Sequence, residues 1–147
     1  MTTCDNKSEV ETLATAPGNL VRLPAGILGF EQHKEYMLLA NPNEMPFAWL
    51  RVADSTSLAF VVINPFIVMP DYAPDIPDAD AEFLGLKEPN DALLFNIVTL
   101  RAPNGATVNL KGPIVINRHT HIAKQVIISN ANNYLVEHPL PVAAASV

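Results

Sequence analysis

The stretch LLFNIVTLRAPNGATVNLKGPIVINRHTHIAKQVII, residues Leu93–Ile128, decides the fold of this 147-residue chain. Leu93–Leu100 and Gly112–Asn117 are rich in Ile, Val, Leu and Phe, which favour pleated and largely buried strands. Between them, Asn104-Gly105 predicts a tight hairpin, because a type I′ turn needs a positive φ at both of its central residues. The stretch therefore indicates a sheet built from antiparallel neighbours.

The rest of the chain repeats this pattern of short apolar runs separated by turn residues. It predicts further strands at Asn19–Leu23, Tyr36–Leu39, Phe47–Val52, Leu58–Ile63, Ile114–Asn117 and Ala123–Ile128, with an edge strand at Tyr72–Ile76. One short helix is predicted at Asp78–Leu86, since Asp78 suits a helix start and Phe83 and Leu84 supply an apolar side. The predicted fold class is all-β and mainly antiparallel, a small β-barrel-like or sandwich domain with one short helix.

Composition predicts a single cytoplasmic domain. An apolar fraction of 49% is typical of a folded chain, and no apolar run approaches the ~20 residues that span a bilayer. The single Cys4 cannot form an intramolecular disulfide. We predict a flexible N-terminal arm at 1–17, a β domain at 18–138 and a disordered tail at 139–147, with no membrane contact.

The acidic residues are concentrated in one place. Asp71–Asp91, called the acidic segment below, carries seven acidic residues and one lysine, a net charge of −6 that equals the net charge of the whole chain. Nucleic-acid binding relies on clustered Lys and Arg, so this balance argues against direct contact with nucleic acid. A solvated acidic face is the plainer interpretation of the segment, and a docking surface for a basic protein partner, steered by complementary charge, is the alternative.

Three blocks of the sequence resemble the FliW flagellar assembly factors: Pro24–Glu31 (PAGILGFE), Ala59–Phe66 (AFVVINPF) and Thr107–Ile128 (TVNLKGPIVINRHTHIAKQVII). The resemblance implies a small, largely β, cytoplasmic protein that binds flagellin and the translational regulator CsrA. Free flagellin would occupy it. Once flagellin is exported, the released protein would bind CsrA away from the RNA-binding surface of CsrA. This binding would relieve the repression of flagellin mRNA. The chain departs from the family at Leu50-Arg51-Val52, where the family usually reads Leu-Gln-Ser.

We expect an interaction protein without catalysis or cofactor, and a monomer when no partner is bound. Candidate partner-binding residues in the acidic segment are Asp71, Tyr72, Asp75, Asp78, Asp80 and Glu82. Three amides beside apolar strands, Asn64, Asn109 and Asn117, either fix turns through side-chain to backbone hydrogen bonds or contact a partner. Phe47, Trp49 and Phe60 lie in neighbouring predicted strands, and we expect them to share a core.

Two alternatives of other classes remain open. His119 and His121 would lie on one face of a strand and could bind a metal with Asp71 or Asp75, as in a metal-dependent hydrolase or lyase on a small β-barrel. The clustered carboxylates also suit calcium, but their spacing does not fit an EF-hand. An oligonucleotide-binding barrel would need a basic groove with stacking aromatics, which the acidity and the 7% aromatic content disfavour.

Overall fold

The computed structural model describes residues 20–40, 43, 46–53, 58–101 and 105–140. Within these ranges, every pair of named strands is antiparallel and one helix reaches seven residues, which confirms the predicted fold class. The elements are β1 (Leu20–Arg22), β2 (Glu35–Ala40), β3 (Phe47–Val52), β4 (Ala59–Ile63), α1 (Pro65–Val68), α2 (Asp78–Leu84), β5 (Ala92–Arg101), β6 (Gly105–Val108), β7 (Ile114–Asn117), β8 (Ala123–Gln125) and β9 (His138–Pro139). Short 3-10 turns lie at Pro89–Asp91 and Ala131–Asn133.

The strands close into a barrel. Their order is β1-β2-β3-β4-β5-β6-β9, while β7 pairs with both β5 and β8. The Arg22 N–H donates to the His121 carbonyl at 3.0 Å, and Arg22 forms a parallel bridge with Ile122. These contacts join β1 to the chain immediately before β8, so the first and last strands of the barrel meet.

The long strand β5 supports two partners in succession. Its second half pairs with β6 and its first half pairs with β7. Between these partners the chain makes a turn that Asn109 holds, because its Oδ1 accepts the N–H groups of Lys111 at 3.0 Å and Gly112 at 3.1 Å. Asn109 thus has the turn-fixing role that its position in the sequence suggests.

Two hydrophobic cores lie on opposite faces of β5 and β7, because successive side chains of a strand alternate between its faces. The barrel core contains Val21, Leu23, Ile27, Tyr36, Leu38, Ala48, Leu50, Val52, Val62, Leu93, Phe95, Ile114, Ile116 and Ala123. The second core contains Ile63, Phe66, Tyr72, Leu84, Ala92, Leu94, Val98, Ala106, Val108, Leu110, Val115, Val126, Ile128 and Leu140. The second core is covered by α1, α2 and the C-terminal segment, residues 126–140.

The glycine-rich bend of the first family-like block inserts a side chain into the barrel core. Ile27 is 2% exposed there. Gly26 has a φ of 71°, and a Cβ at this position would lie 2.5 Å from the Glu31 Cα, so only glycine fits. The Glu31 Oε2 accepts the Gly29 N–H at 3.0 Å, which holds the bend and lowers the pKa of the Glu31 carboxyl.

The predicted hairpin is present, but its predicted turn is wrong. Arg101 pairs with Gly105 and Leu100 with Ala106, whereas a two-residue turn centred on Asn104-Gly105 would pair Ala106 with Pro103. Residues 102–104 lie outside the described ranges. The partner of β5 in this hairpin is β6, a four-residue strand that the sequence interpretation passed over because Gly, Ala and Thr give it little apolar signal.

The predicted edge strand Tyr72–Ile76 is also wrong. Its backbone is fixed by the C-terminal segment, through side chains as well as backbone. Asn130 Oδ1 accepts the Asp75 N–H at 2.8 Å, Asn130 Nδ2 donates to the Ala73 carbonyl at 2.9 Å, and the Ser129 N–H donates to the Asp75 carbonyl at 2.7 Å. This stretch is extended without belonging to a β ladder.

The helical predictions differ from the structure at two places. Helix α2 begins at Asp78 as predicted but ends at Leu84, because Gly85 adopts a left-handed conformation with a φ of 72°. The sequence interpretation missed α1. Its signal was present, since Asn64 caps the helix by accepting the Phe66 N–H at 3.0 Å and Pro65 occupies the first turn.

The packed domain continues through Leu140. Strand β9 pairs with β6, and Leu140 is 7% exposed in the second core, so the packing extends two residues past the predicted boundary at 138. The predicted arm 1–17 and the rest of the predicted tail, 141–147, lie outside the described residues. In the part of the chain that is described, no helix is long and apolar enough to cross a membrane.

The expected shared core of three aromatic residues is wrong. Strand β3 buries Ala48, Leu50 and Val52 and turns Trp49 outward, where it is 37% exposed. Phe60 packs against the barrel core, and Phe47 packs against the second core. Phe60 pairs with Leu50 and shares its face toward the barrel core, whereas Phe47 and Trp49 lie on the opposite face of β3.

Candidate functional site

The acidic segment wraps over the second core between α1 and β5. It begins in a turn at Asp71, runs extended to Pro77, forms α2, and returns through the 3-10 turn Pro89–Asp91. Two of its large apolar side chains point inward, since Tyr72 and Leu84 are 4% and 3% exposed, whereas Phe83 is exposed on the outer side of α2. The segment is therefore a packed cover, and its acidic side chains border that cover.

Tyr72 anchors the start of the acidic segment. Its hydroxyl donates to the Leu110 carbonyl at 2.6 Å, and its ring contacts the rings of Phe66 and Tyr134 at centroid distances of 6.0 and 4.9 Å. Burial raises the pKa of the Tyr72 hydroxyl to about 12. The hydroxyl of this candidate residue is thus engaged inside the protein, and Tyr72 remains a candidate only through the side of its ring that lines the cavity described below.

The acidic side chains divide into engaged and available ones. Asp80 forms an ion pair with Lys124, whose ammonium lies 5.5 Å from the centroid of the Phe83 ring. Within the described ranges, no ion pair involves the other acidic candidates, all of them exposed: Asp71, Asp75, Asp78 and Glu82. These four candidates, together with the exposed Glu88, are the carboxylates of the acidic segment that a basic partner could meet.

Asp91 closes the acidic segment. Its Oδ2 accepts the N–H groups of Lys87 and Glu88, each at 3.0 Å, and its Oδ1 lies 3.1 Å from His119 Nε2. The two backbone hydrogen bonds, followed by the contact with His119, lower the pKa of the Asp91 carboxyl. This carboxylate organises the return of the chain into β5 and is a structural group.

A cavity of about 420 Å³, called the second-core cavity below, opens between the extended start of the acidic segment and its return. Phe66, Tyr72, Ala92 and Leu94 are buried at its floor, whereas Ala73, Lys87, Glu88 and Pro89 are exposed at its rim. The remaining lining residues, Pro74, Ile76, Ala81 and Leu86, are half-buried walls. All but three of the lining residues belong to the acidic segment, so the cavity and the acidic side chains form one surface.

The other two candidate amides also fix turns. Asn117 Oδ1 accepts the His119 N–H at 2.8 Å, and Asn117 Nδ2 donates to the Leu84 carbonyl at 2.8 Å, which ties the end of α2 to β7. Asn64 caps α1 through its Oδ1 and is 2% exposed. Asn109, Asn117 and Asn64 are therefore brought into the second-core region as structural residues, and none of them is placed as an open partner contact.

The histidine pair does not form a metal site of the predicted geometry. His119 and His121 lie in the turn between β7 and β8, where His121 has a φ of 62°. The His119 ring contacts Asp91, and His121 Nδ1 lies 3.2 Å from the Leu20 carbonyl. Among the residues that the structure describes, no three His, Cys, Asp or Glu side chains are grouped to hold a metal ion.

At Leu50-Arg51-Val52, where the sequence departs from the family, two of the three side chains are buried in the barrel core. Leu50 and Val52 are 1% and 0% exposed, so their side chains reach no partner. Arg51 is half-buried on the same face of β3 as Trp49. Any change in a surface contact at this place therefore depends on Arg51 alone.

Sequence reasoning missed the apolar walls of the second-core cavity. Ala81 is the clearest case, because it lies three residues before buried Leu84 on α2 and helical spacing places both on one face. That spacing was a usable signal. Leu94 is far along the chain from Phe66 and Tyr72, and their meeting depends on tertiary packing.

Comparisons with known proteins agree on one family. The family model described as FliW protein matches residues 5–140. The flagellar assembly factor FliW of Moorella thermoacetica is 37% identical over 137 residues, which cover 90% of this chain and 85% of that protein. The Bacillus subtilis (strain 168) protein of the same name is 33% identical over 122 residues, 82% of this chain and 85% of its own.

A solved structure shows the same fold. The chain is similar to a crystal structure of the flagellar assembly factor FliW, with a TM-score of 0.76 and 37% sequence identity. The similarity covers 86% of this chain and 88% of that one. The likeness in sequence and the likeness in fold thus extend over nearly the same length.

Proposed function

Because the chain belongs to the FliW family of flagellar assembly factors, we propose that it binds flagellin and the translational regulator CsrA in the cytoplasm. Free flagellin occupies the protein. After flagellin is exported, the released protein binds CsrA and antagonises it allosterically, away from the RNA-binding surface of CsrA. Flagellin synthesis is thereby coupled to flagellin export, and the protein acts by binding, without a cofactor or a catalytic step.

The observation that carries this proposal is the length of the family match. Residues 5–140 match the family model, and these include both cores and the whole acidic segment. The match is therefore to a complete packed domain and not to an isolated motif.

The charge distribution supports a basic protein partner. Five exposed carboxylates on the acidic segment, those of Asp71, Asp75, Asp78, Glu82 and Glu88, are left without ion pairs within the described ranges. A surface of one charge speeds and orients the encounter with a surface of the opposite charge. This electrostatic term acts mainly on the association rate and weakens with salt.

Exchange of the two partners requires only a modest coupling between them. If flagellin and CsrA bind overlapping surfaces, occupation by one excludes the other. If they bind separate surfaces, a coupling free energy of about 1–3 kcal/mol changes the affinity for the second partner by about 5- to 150-fold. Either case gives the partner switch.

A calorimetric titration tests the proposal. The purified protein is titrated with CsrA of the same organism, first alone and then with flagellin already bound. We expect binding to CsrA in the first titration and its loss in the second. Binding to neither partner overturns the proposed function, and unchanged CsrA binding in the presence of flagellin overturns the switch.

A further inference from the structure

The second-core cavity has the size and lining of a site for apolar side chains. An apolar protein cavity of about 150 Å³ already accommodates a benzene ring. The second-core cavity measures about 420 Å³, and its floor consists of Phe66, Tyr72, Ala92 and Leu94. The Tyr72 hydroxyl donates its hydrogen bond to the Leu110 carbonyl, so the aromatic side chains of the floor offer no free hydrogen-bond donor to an occupant. This space accepts more than one bulky apolar group.

The surroundings of the cavity select the charge of its occupant. Asp71 and Asp75 flank the lining residues Tyr72–Pro74, and Glu82 follows the lining residue Ala81. At the rim itself, Lys87 is opposed by Glu88. An apolar group flanked by basic side chains is therefore favoured over one flanked by acidic side chains.

The fixed backbone around the cavity means that an occupant meets a preformed site. Asn130 and Ser129 hold the backbone of Ala73 and Asp75, and Tyr134 Oη accepts the Ala73 N–H at 3.1 Å. On the opposite side, Asp91 holds the backbone of Lys87 and Glu88. A site held on both sides loses little conformational entropy when it is filled.

We propose that the second-core cavity receives bulky apolar side chains from a segment of a protein partner that carries Lys or Arg beside them. This inference rests on the proposed function, for which it names the contact site. The apolar side chains supply the binding energy by leaving water, as buried anchors do in the centre of an interface. The carboxylates around the cavity orient the segment.

Filling the cavity from its own wall tests the proposal. Ala81→Phe places a ring in the cavity from α2, and Ala79→Phe adds the same ring to the exposed side of that helix. Binding of both variants and of the unmodified protein to flagellin and to CsrA is measured by calorimetry. We expect Ala81→Phe to lose about tenfold or more in affinity for at least one partner, and Ala79→Phe to bind like the unmodified protein.

A second pair of variants keeps the test decisive. Circular dichroism and thermal unfolding establish that each variant is folded, and Ala81→Leu replaces Ala81→Phe if the larger ring prevents folding. Phe83→Ala probes the outer side of α2, where the Phe83 side chain is 51% exposed. A loss of affinity with Phe83→Ala together with normal binding by the Ala81 variant overturns the proposal, because the partner then lies outside the cavity.

The remaining outcomes are distinguishable. Equal binding by the Ala81 and Ala79 variants overturns the proposed contact while the proposed function stands. Binding of neither partner by the unmodified protein overturns the proposed function, and the inference that rests on it fails with it.

Discussion

The two faces of β5 carry cores of different construction. The barrel core is lined by strands and by the inserted Ile27, and its buried members among the described residues are apolar side chains and Tyr36. The second core combines the outer side of the same strand with two short helices, an aromatic group at Tyr72 and an open cavity. The same strand thus borders a closed core on one side and a core with an open cavity on the other. Local regions with fewer packed contacts are where binding surfaces commonly form.

The largest expected effect comes from comparing Leu93 with Leu94. They are adjacent on β5, 1% and 3% exposed, and belong to the barrel core and the second core. We expect Leu93→Ala to lower the free energy of unfolding by about 3–5 kcal/mol and Leu94→Ala by about 2–3 kcal/mol. Leu94 already borders the second-core cavity, so its removal forfeits fewer packing contacts. Denaturant unfolding of both variants measures the difference.

Leu93→Ala and Leu94→Ala are matched substitutions, so their unfolding free energies can be compared directly. Both variants remove the same atoms from neighbouring positions of one strand, so a difference in strand propensity does not enter. A cost for Leu94→Ala equal to or above that of Leu93→Ala would show that the second core is as tightly packed as the barrel core.

A smaller effect is expected when the anchor of the second core loses its hydroxyl. Tyr72→Phe leaves the Leu110 carbonyl without the hydrogen bond of 2.6 Å, and we expect a loss of about 1–3 kcal/mol in the free energy of unfolding at neutral pH. Tyr134→Phe is the control, because the Tyr134 hydroxyl accepts a hydrogen bond from the exposed Ala73 N–H. Similar losses in both variants would contradict the assignment of Tyr72 as the anchor.

The same variant predicts a change at alkaline pH. Burial raises the pKa of Tyr72 to about 12, whereas a tyrosine in the unfolded chain titrates near its usual value of about 10. Between these values the unfolded chain releases this proton and the folded chain keeps it, so stability falls as pH rises. The difference in stability between the unmodified protein and Tyr72→Phe should therefore shrink from pH 10 to pH 12. A constant difference would contradict the buried, raised pKa.

Sequence reasoning reached the barrel core more fully than the second core, for a physical reason. Strand β3 was predicted with its observed bounds, because a short, largely apolar run between turn residues is typical of a buried strand. The extended stretch at Tyr72–Ile76 was misassigned because its hydrogen-bond partners, Asn130 and Ser129, lie far along the chain. Local patterns carry no record of such contacts.

The candidate site divides in the same way. The acidic segment was visible as a run of charge, but the sequence could not separate Asp80, which pairs with Lys124, from its unpaired neighbours. It could not place Tyr72 under the cavity, since Leu94 and Phe66 reach that place through other elements. A run of charge can be read from neighbouring positions in the sequence. The second-core cavity cannot, because it exists only after β5, α1 and α2 have packed.

The smallest expected effect tests whether the charge around the cavity guides partners. Asp75→Lys reverses an exposed charge whose backbone is held by Asn130 and Ser129, so the fold is expected to stay unchanged. We expect association with the basic partner to slow by a few-fold at low salt and the difference to vanish near 1 M salt, where screening acts over about 3 Å. Glu35→Lys on β2 is the control, because it reverses an exposed charge on a barrel strand away from the acidic segment, at the cost of a solvent-exposed ion pair with Arg22. Stopped-flow association rates measure both variants.

An equal slowing by the two variants would assign the effect to the net charge of the whole protein. A slowing by Asp75→Lys alone would assign it to the acidic segment, and would extend the difference between the two faces of β5 from packing to partner recognition.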